Sequence, residues 1–231
     1  MAGSPTRRGF LGGAATAAAV GLAGCTGGGG GNSDSDDEAG VALADHPLGE
    51  DLDRWPHLGP DPFEAPATLV VLDDPSCPTC ARFHRNTITE LESSYVADGD
   101  LALAIRPYPV VYPWGEPAAH ILEATVPRDE GVFWDLLEQY FADQDAFNTD
   151  NVRSRSETWL EENTDLDAAA VIDDADSEPA TSRIEATLSA GEEAGAGSVT
   201  PATFAFVDGT LRTSLNGSVS TNTVETALEL G

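Results

Sequence analysis

Residues 67–80, Ala67-Thr68-Leu69-Val70-Val71-Leu72-Asp73-Asp74-Pro75-Ser76-Cys77-Pro78-Thr79-Cys80, run from an apolar, β-branched segment through turn-forming residues into a pair of cysteines. A short apolar run of this kind has the composition of a buried strand. Asp73-Asp74-Pro75-Ser76 ends it, and both aspartates are expected on the turn. From Cys77 to about Tyr95 the residues Cys80, Phe83, Thr87, Leu91 and Tyr95 recur at helical spacing near one face. Asp98-Gly99-Asp100 then turns the chain into a second strand, Leu101-Ala102-Leu103-Ala104-Ile105-Arg106. The reading is a β–α–β unit with the cysteines at the strand-to-helix turn, the setting in which such a pair points to redox chemistry.

The spacing of the cysteines supports chemistry over stapling. A disulfide between Cys77 and Cys80 closes too short a loop to constrain a chain of 231 residues, because loop-closure stabilisation grows with loop length. A cysteine in the first turn of a helix faces unpaired backbone N–H groups and the positive end of the helix dipole. Both favour the thiolate, which is the attacking species. Cys77 holds that position. Cys80, one turn on and facing inward, is placed to resolve a mixed disulfide. Pro78 has no N–H to lose at a helix start and its fixed φ suits the turn. Thr79 has a hydroxyl for the sulfur or for backbone. His84 follows Cys80 on the same helix. It reads as a packed or half-exposed helix histidine, or with Cys77 and Cys80 as a third metal ligand.

Downstream, residues from Pro117 to about Ala194 read as helical. Val132-Phe133-Trp134 with Leu136, Leu137, Tyr140 and Phe141 forms the most apolar helix, and Trp159-Leu160 and Ile184 with Leu188 mark two more. The segment Tyr108 to Trp114 is an aromatic, proline-rich loop, read as packing or as the border of a groove. Val199-Thr200-Pro201 leads into a strand, Thr203 to Val207, and Asp208-Gly209 turns it toward an edge strand near Leu211-Arg212-Thr213. Asn222 with Glu225 resembles a capping box for a last helix.

Strand, cysteine helix, strand, helical insertion, Thr-Pro, hairpin and helix, in that order, resemble the thioredoxin superfamily. The helical insertion before Thr200-Pro201 resembles its DsbA-like branch. The resemblance spans about residues 67–231. It implies an α/β thioredoxin-like fold, a central mixed sheet flanked by helices with an insertion at about 117–194. It implies a protein-disulfide oxidoreductase with no cofactor or metal, acting on protein thiols and disulfides and recycled by a membrane redox partner. It also implies that Pro201 is cis and packs against the cysteine motif, with Thr200 pairing to substrate backbone. Many members carry a buried acid six residues before the first cysteine; here that position is Val71. Oxidase, reductase and isomerase share these residues, so the direction of electron flow stays open. Two other readings are a copper- or zinc-handling lipoprotein using Cys77, Cys80 and His84, and a thioredoxin-like binding module with an inert disulfide.

The N-terminus reads as an address. Arg7-Arg8-Gly9-Phe10-Leu11 has the paired arginines of a twin-arginine export signal, and Leu22-Ala23-Gly24-Cys25 resembles a lipobox. Residues 1–24 are thus expected to be a signal peptide and Cys25 the lipidated residue. Residues 25–66 are expected to form a lipid-anchored flexible linker and N-terminal extension before the domain at 67–231. That places the protein at the outer face of the membrane, where disulfides persist. The chain carries 40 Asp and Glu against 11 basic residues, all arginine, for a formal net charge of −29. Such a lysine-free acidic surface resembles proteins of salt-loving archaea. At molar salt the Debye length is about 3 Å, so self-repulsion beyond nearest neighbours is screened. Phosphate-bearing partners would be repelled, which excludes nucleic acid as a partner class.

Overall fold

The computed structural model describes residues 40–231. Arg7, Arg8 and Cys25 lie outside the described residues. Five strands form one sheet: β1 (His57–Leu58), β2 (Ala67–Asp73), β3 (Leu101–Pro107), β4 (Ala202–Val207) and β5 (Thr210–Asn216), in the order β1-β3-β2-β4-β5. β2 and β3 run parallel, with Ala67 opposite Leu101 and Asp73 opposite Pro107. The pairings of β1 with β3, β2 with β4 and β4 with β5 are antiparallel, so the sheet is mixed.

All seven residues of β2 are buried, and strand alternation divides them between two cores. Ala67, Leu69 and Val71 face the layer that holds Cys77, Cys80, Phe83, Leu103 and Ile105. Val70 and Leu72 face the other, with Tyr108, Phe204 and Phe206. The first face is covered by the helix after Cys77 and by the helical insertion. That helix starts as α1 (Pro78–Phe83) and continues through a π-helical turn at His84–Ile88, then α2 (Thr89–Leu91), then a second π-helical turn at Glu92–Val96.

The insertion consists of α3 (Gly115–Thr125), α4 (Glu130–Ala142), α5 (Val152–Asn163), α6 (Ala168–Ala175) and α7 (Glu178–Glu193). The α6 helix has no strong signal in the sequence. Its N-cap Asp167 accepts from the Ala170 N–H at 3.1 Å, and Ala168, Val171 and Ala175 are its buried residues. Arg128 and Arg153 bind Asp174 and Asp176 and so tie it to its neighbours. In α8 (Thr221–Ala227) the cap differs from the expected Asn222–Glu225 box. Ser220 accepts from the Thr223 N–H at 3.3 Å, and Glu225 instead accepts from the Tyr95 hydroxyl at 2.8 Å. A serine two residues earlier caps the helix instead, which leaves Glu225 for a tertiary contact.

The second face is covered by α7 and by residues 41–55. From Gly40 onward the segment grouped with the linker is packed chain. Ala42 bridges to Thr210, and Leu43, Leu48, Leu52 and Trp55 are buried against the sheet. Arg106 of β3 fastens it: its guanidinium donates to the Leu48 carbonyl at 2.9 Å and lies 5.1 Å from the Trp55 ring centroid. Burial of this arginine pulls its pKa down to about 10, against the pull of Glu123 and of Glu50 and Asp51. Leu48→Ala is expected to destabilise the protein by about 3 kcal/mol, since a fully buried leucine is replaced by a cavity. Urea unfolding measures the loss. A fall below about 1 kcal/mol would mean that the extension contributes little to the core.

Candidate active site

The turn from β2 into α1 is built around Asp74, which has no exposed surface. Its Oδ1 accepts from the Ser76 N–H at 2.7 Å and the Ser76 hydroxyl at 2.6 Å. Its Oδ2 accepts from the N–H groups of Val110 at 2.8 Å and Val111 at 2.7 Å. The loop after β3 is thereby fixed against the loop that carries the cysteines. Gly115, at the start of α3, closes on the same carboxylate, for a Cβ there would lie 2.4 Å from Asp74 Oδ1. Burial raises the Asp74 carboxyl, and the donors of Ser76, Val111 and Val110 oppose that rise. Asp74 lies on the turn but is buried, whereas Asp73 lies in the strand and not on the turn. Asp73 is the last residue of β2 and is 1% exposed.

Cys77 is the N-cap of α1 and Pro78 its first residue. The Cys77 sulfur accepts from the Cys80 N–H at 3.4 Å and, as a thiol, donates to the Thr200 carbonyl at 3.5 Å. Hydrogen bonding from Cys80 pulls the Cys77 thiol from 9.0 to about 6. Burial opposes the fall, while contacts with Thr200 and with the Cys80 and Thr79 backbone reinforce it. Cys80 moves the other way. Its burial is complete, and that burial, the bond to Cys77 and the charges of Asp73 and Cys77 all push its thiol far up. The two sulfurs therefore have opposite characters, one ionised near neutrality and the other held as a thiol.

The Thr200–Pro201 peptide is cis, Pro201 is buried and Thr200 is 7% exposed. The Thr200 carbonyl is thus in contact with the Cys77 sulfur. The Thr79 hydroxyl accepts from Arg82 at 3.3 Å. His84 is not gathered with the cysteines as a ligand. Its Nε2 lies 2.6 Å from Asp73 Oδ2 and its ring packs 4.5 Å from that of Phe141. Among the described residues no group of three or more His, Cys, Asp or Glu side chains is placed to hold a metal ion.

A groove of about 950 Å³ opens beside Pro78, bounded by Arg82, Tyr112, Trp114, Gln144 and Phe147. Trp114 stacks on Phe147 at 5.5 Å and also lines the groove. Tyr112 is half exposed at its rim. The roles of Asp73, Asp74 and Ser76 were not assigned from the sequence. Strand parity is the one signal that could have found the first: two residues beyond Val71, Asp73 returns to the same sheet face.

A family model described as Thioredoxin matches residues 58–228. Among solved structures the chain is similar to oxidised BdbD from Bacillus subtilis. The TM-score is 0.65 at 20% identity, covering 77% of this chain and 95% of that one. It is similar to α-DsbA1 from Wolbachia pipientis, with a TM-score of 0.62 at 17% identity over 76% of this chain and 91% of that one. DsbA from Chlamydia trachomatis gives 0.59 at 16% identity over 76% and 88%. No curated protein matches the sequence. At these identities the structural likeness establishes the fold, and the family match adds the lineage: with its mixed five-stranded sheet flanked by helices, this chain belongs to the thioredoxin family.

Proposed function

We propose that the chain is an extracytoplasmic protein-disulfide oxidoreductase that exchanges disulfides with protein substrates through Cys77 and Cys80. The observation that carries this reading is the Cys77 sulfur at the start of α1, accepting the Cys80 N–H and drawn down to about 6. At neutral pH most of it is thiolate, the form that attacks a substrate disulfide. The mixed disulfide so formed is resolved by Cys80, leaving the Cys77–Cys80 disulfide and a reduced substrate; the reverse sequence oxidises a substrate dithiol. Thr200 is proposed to pair with the substrate backbone beside Pro201, and the groove next to Pro78 to take the flanking residues. DsbA-like proteins among the structural relatives support the same reading. A binding module with an inert disulfide accounts less well for an acidic, N-capping Cys77, and a metal-handling role has no observation in its favour.

Export under the Arg7-Arg8 signal, cleavage after residue 24 and lipidation of Cys25 complete the proposal. They hold the domain at the outer face of the membrane, where an unidentified membrane partner recycles the pair. No described helix is long and apolar enough to cross a membrane. The acidic surface supports work in concentrated salt.

The test is insulin reduction and peptide oxidation by the full chain, combined with the pH profile of Cys77 alkylation. Alkylation is expected to be half-maximal near pH 6. The same shift has a consequence for stability. The folded-state value lies below the unfolded one, so the Cys77 thiolate stabilises the reduced protein above pH 9 and that contribution is lost as pH falls through about 6. Reduced protein should therefore gain stability between these limits, and Cys77→Ser should not. A profile centred near 9 would remove the basis of the reading.

A further inference from the structure

A chain with 40 Asp and Glu carries none between Asp74 and Glu90, the stretch that holds both cysteines. In their place stand two exposed arginines, Arg82 in α1 and Arg85 in the π-helical turn that follows. The segment 101–115, whose Tyr112 and Trp114 border the groove beside Pro78, is also free of acid. The acid excess therefore gives way around Cys77.

The arginines themselves mark the same place. Arg54, Arg128, Arg153, Arg183 and Arg212 lie in ion pairs with Asp51, Asp174, Asp176, Glu123 and Glu229. Arg106 is buried. Three arginines remain exposed with no acidic partner among the described residues: Arg82, Arg85 and Arg155. Arg82 and Arg85 line the groove of about 950 Å³. Arg155 lies 5.1 Å from the ring centroid of Phe147, which lines it too. Arg82 donates to the Thr79 hydroxyl inside the cysteine motif, and the Arg85 guanidinium has no hydrogen bond among the described residues. A guanidinium without an anion keeps its charge and most of its five donors for a partner. Two acids, Asp143 and Asp145, line the groove beyond the end of α4, and Asp143 accepts from Gln139 at 2.8 Å. Positive charge thus sits on the helix that bears the cysteines, and negative charge on the insertion.

We propose that Arg82 and Arg85 are specificity-determining residues that select acidic polypeptide segments, pairing with Asp or Glu side chains next to the substrate's reacting cysteines. This rests on the disulfide-exchange reading above. A carboxylate docked there meets two unpaired cations, on a chain whose net charge of −29 repels it elsewhere. A lysine in the same position meets like charge. At about 1 M salt the Debye length is roughly 3 Å, so the choice is made at contact and not by the net charge at a distance.

The test compares two dithiol peptides that differ only in the residues beside their cysteines, glutamates in one and lysines in the other. The oxidised full chain oxidises each. A peptide thiolate attacks Cys77, the Cys77–Cys80 bond breaks with its electron pair on Cys80, and the second peptide thiolate displaces Cys77. The peptide loses two electrons and the cysteine pair gains them. Each kcat/KM is divided by the rate constant for oxidation of the same peptide by neutral hydroxyethyl disulfide, which removes the effect of neighbouring charge on the peptide thiols. At about 1 M salt the corrected preference for the glutamate peptide is expected to be roughly fivefold, the scale of one or two exposed ion pairs. It should fall to near one in Arg82→Gln/Arg85→Gln and persist in Arg82→Lys/Arg85→Lys, which keeps the charge. Equal corrected rates in the wild-type chain, or a preference for lysine, overturn the proposal. So does a preference that survives the glutamine pair or is lost in the lysine pair. If the double variant does not fold, Arg85→Gln alone decides, since that side chain holds no other contact: an unchanged preference overturns the assignment. Oxidation of neither peptide by the wild-type chain removes the exchange reading itself, an outcome distinct from oxidation of both at equal corrected rates.

Discussion

Cys77→Ser is expected to bring insulin reduction and peptide oxidation down to the uncatalysed background, whereas Cys80→Ala should stop turnover while leaving the first attack in place. The two cysteines differ because their surroundings differ. Cys77 sits at the N-terminus of α1 with 4% of its surface exposed, where the Cys80 N–H and Cys80 thiol stabilise its charge. A serine there has no comparable anion near neutral pH and forms no disulfide. Cys80 is sealed beneath it and enters only when Cys77 is already bonded to substrate. Cys80→Ala should therefore accumulate mixed disulfides, visible as adducts on non-reducing gels that disappear with reductant. Residual exchange in Cys77→Ser would assign the attack to another group. A clean Cys80→Ala lane with wild-type turnover would remove the resolving role. The second variant carries an additional consequence. The bond from Cys80 is the largest influence lowering the Cys77 thiol, so its removal should move half-maximal alkylation from about 6 toward the ordinary thiol value of 9.0.

The parts of this architecture that were legible in the sequence are those whose signal is local. The segments 67–72 and 101–106 are legible as strands because each is a short apolar run bounded by turn residues, and the observed β2 and β3 extend each by one residue. The helix starting at Pro78 was legible from apolar spacing, although not its two π-helical turns, which leave that spacing unmarked. The cis peptide before Pro201 is implied by family resemblance and not by any local pattern. What could not be read has a common cause: it depends on which distant groups meet. Asp73 and Asp74 are adjacent acids in the sequence and look like turn residues. The fold buries both and gives them separate partners, His84 for one and Ser76, Val110 and Val111 for the other. Residues 41–55 lack the periodicity of a regular element. Their leucines and Trp55 are apolar enough to cover a sheet face, but only the exposed face of that sheet reveals it.

Asp74→Ala should be among the most destabilising single changes outside the hydrophobic cores, costing about 4 kcal/mol. The expectation follows from counting donors. Three backbone N–H groups and the Ser76 hydroxyl point at this carboxylate from two loops, in a site closed to water. Truncation leaves them buried and unpaired, and each such group costs about 1–3 kcal/mol, reduced where a loop can relax toward solvent. The loop at 108–114 is the one free to relax, because Val111 and Tyr112 are already exposed. Its release would loosen the rim of the groove beside Pro78 and leave β2, with all its residues buried, in place. Urea unfolding should therefore show the loss in stability, and hydrogen exchange should rise first at the Val110 and Val111 amides. Asp74→Asn makes the argument quantitative. The amide keeps the shape and one acceptor oxygen, so it can satisfy either the Ser76 pair or the Val110–Val111 pair but turns an NH₂ toward the other. It should recover part of the stability lost in Asp74→Ala and never all of it. Equal stabilities for Asp74→Asn and wild type would show that charge and donor count do not set the strength of this junction. A loss in Asp74→Ala below about 1 kcal/mol would show that the two loops are held together by their packing alone.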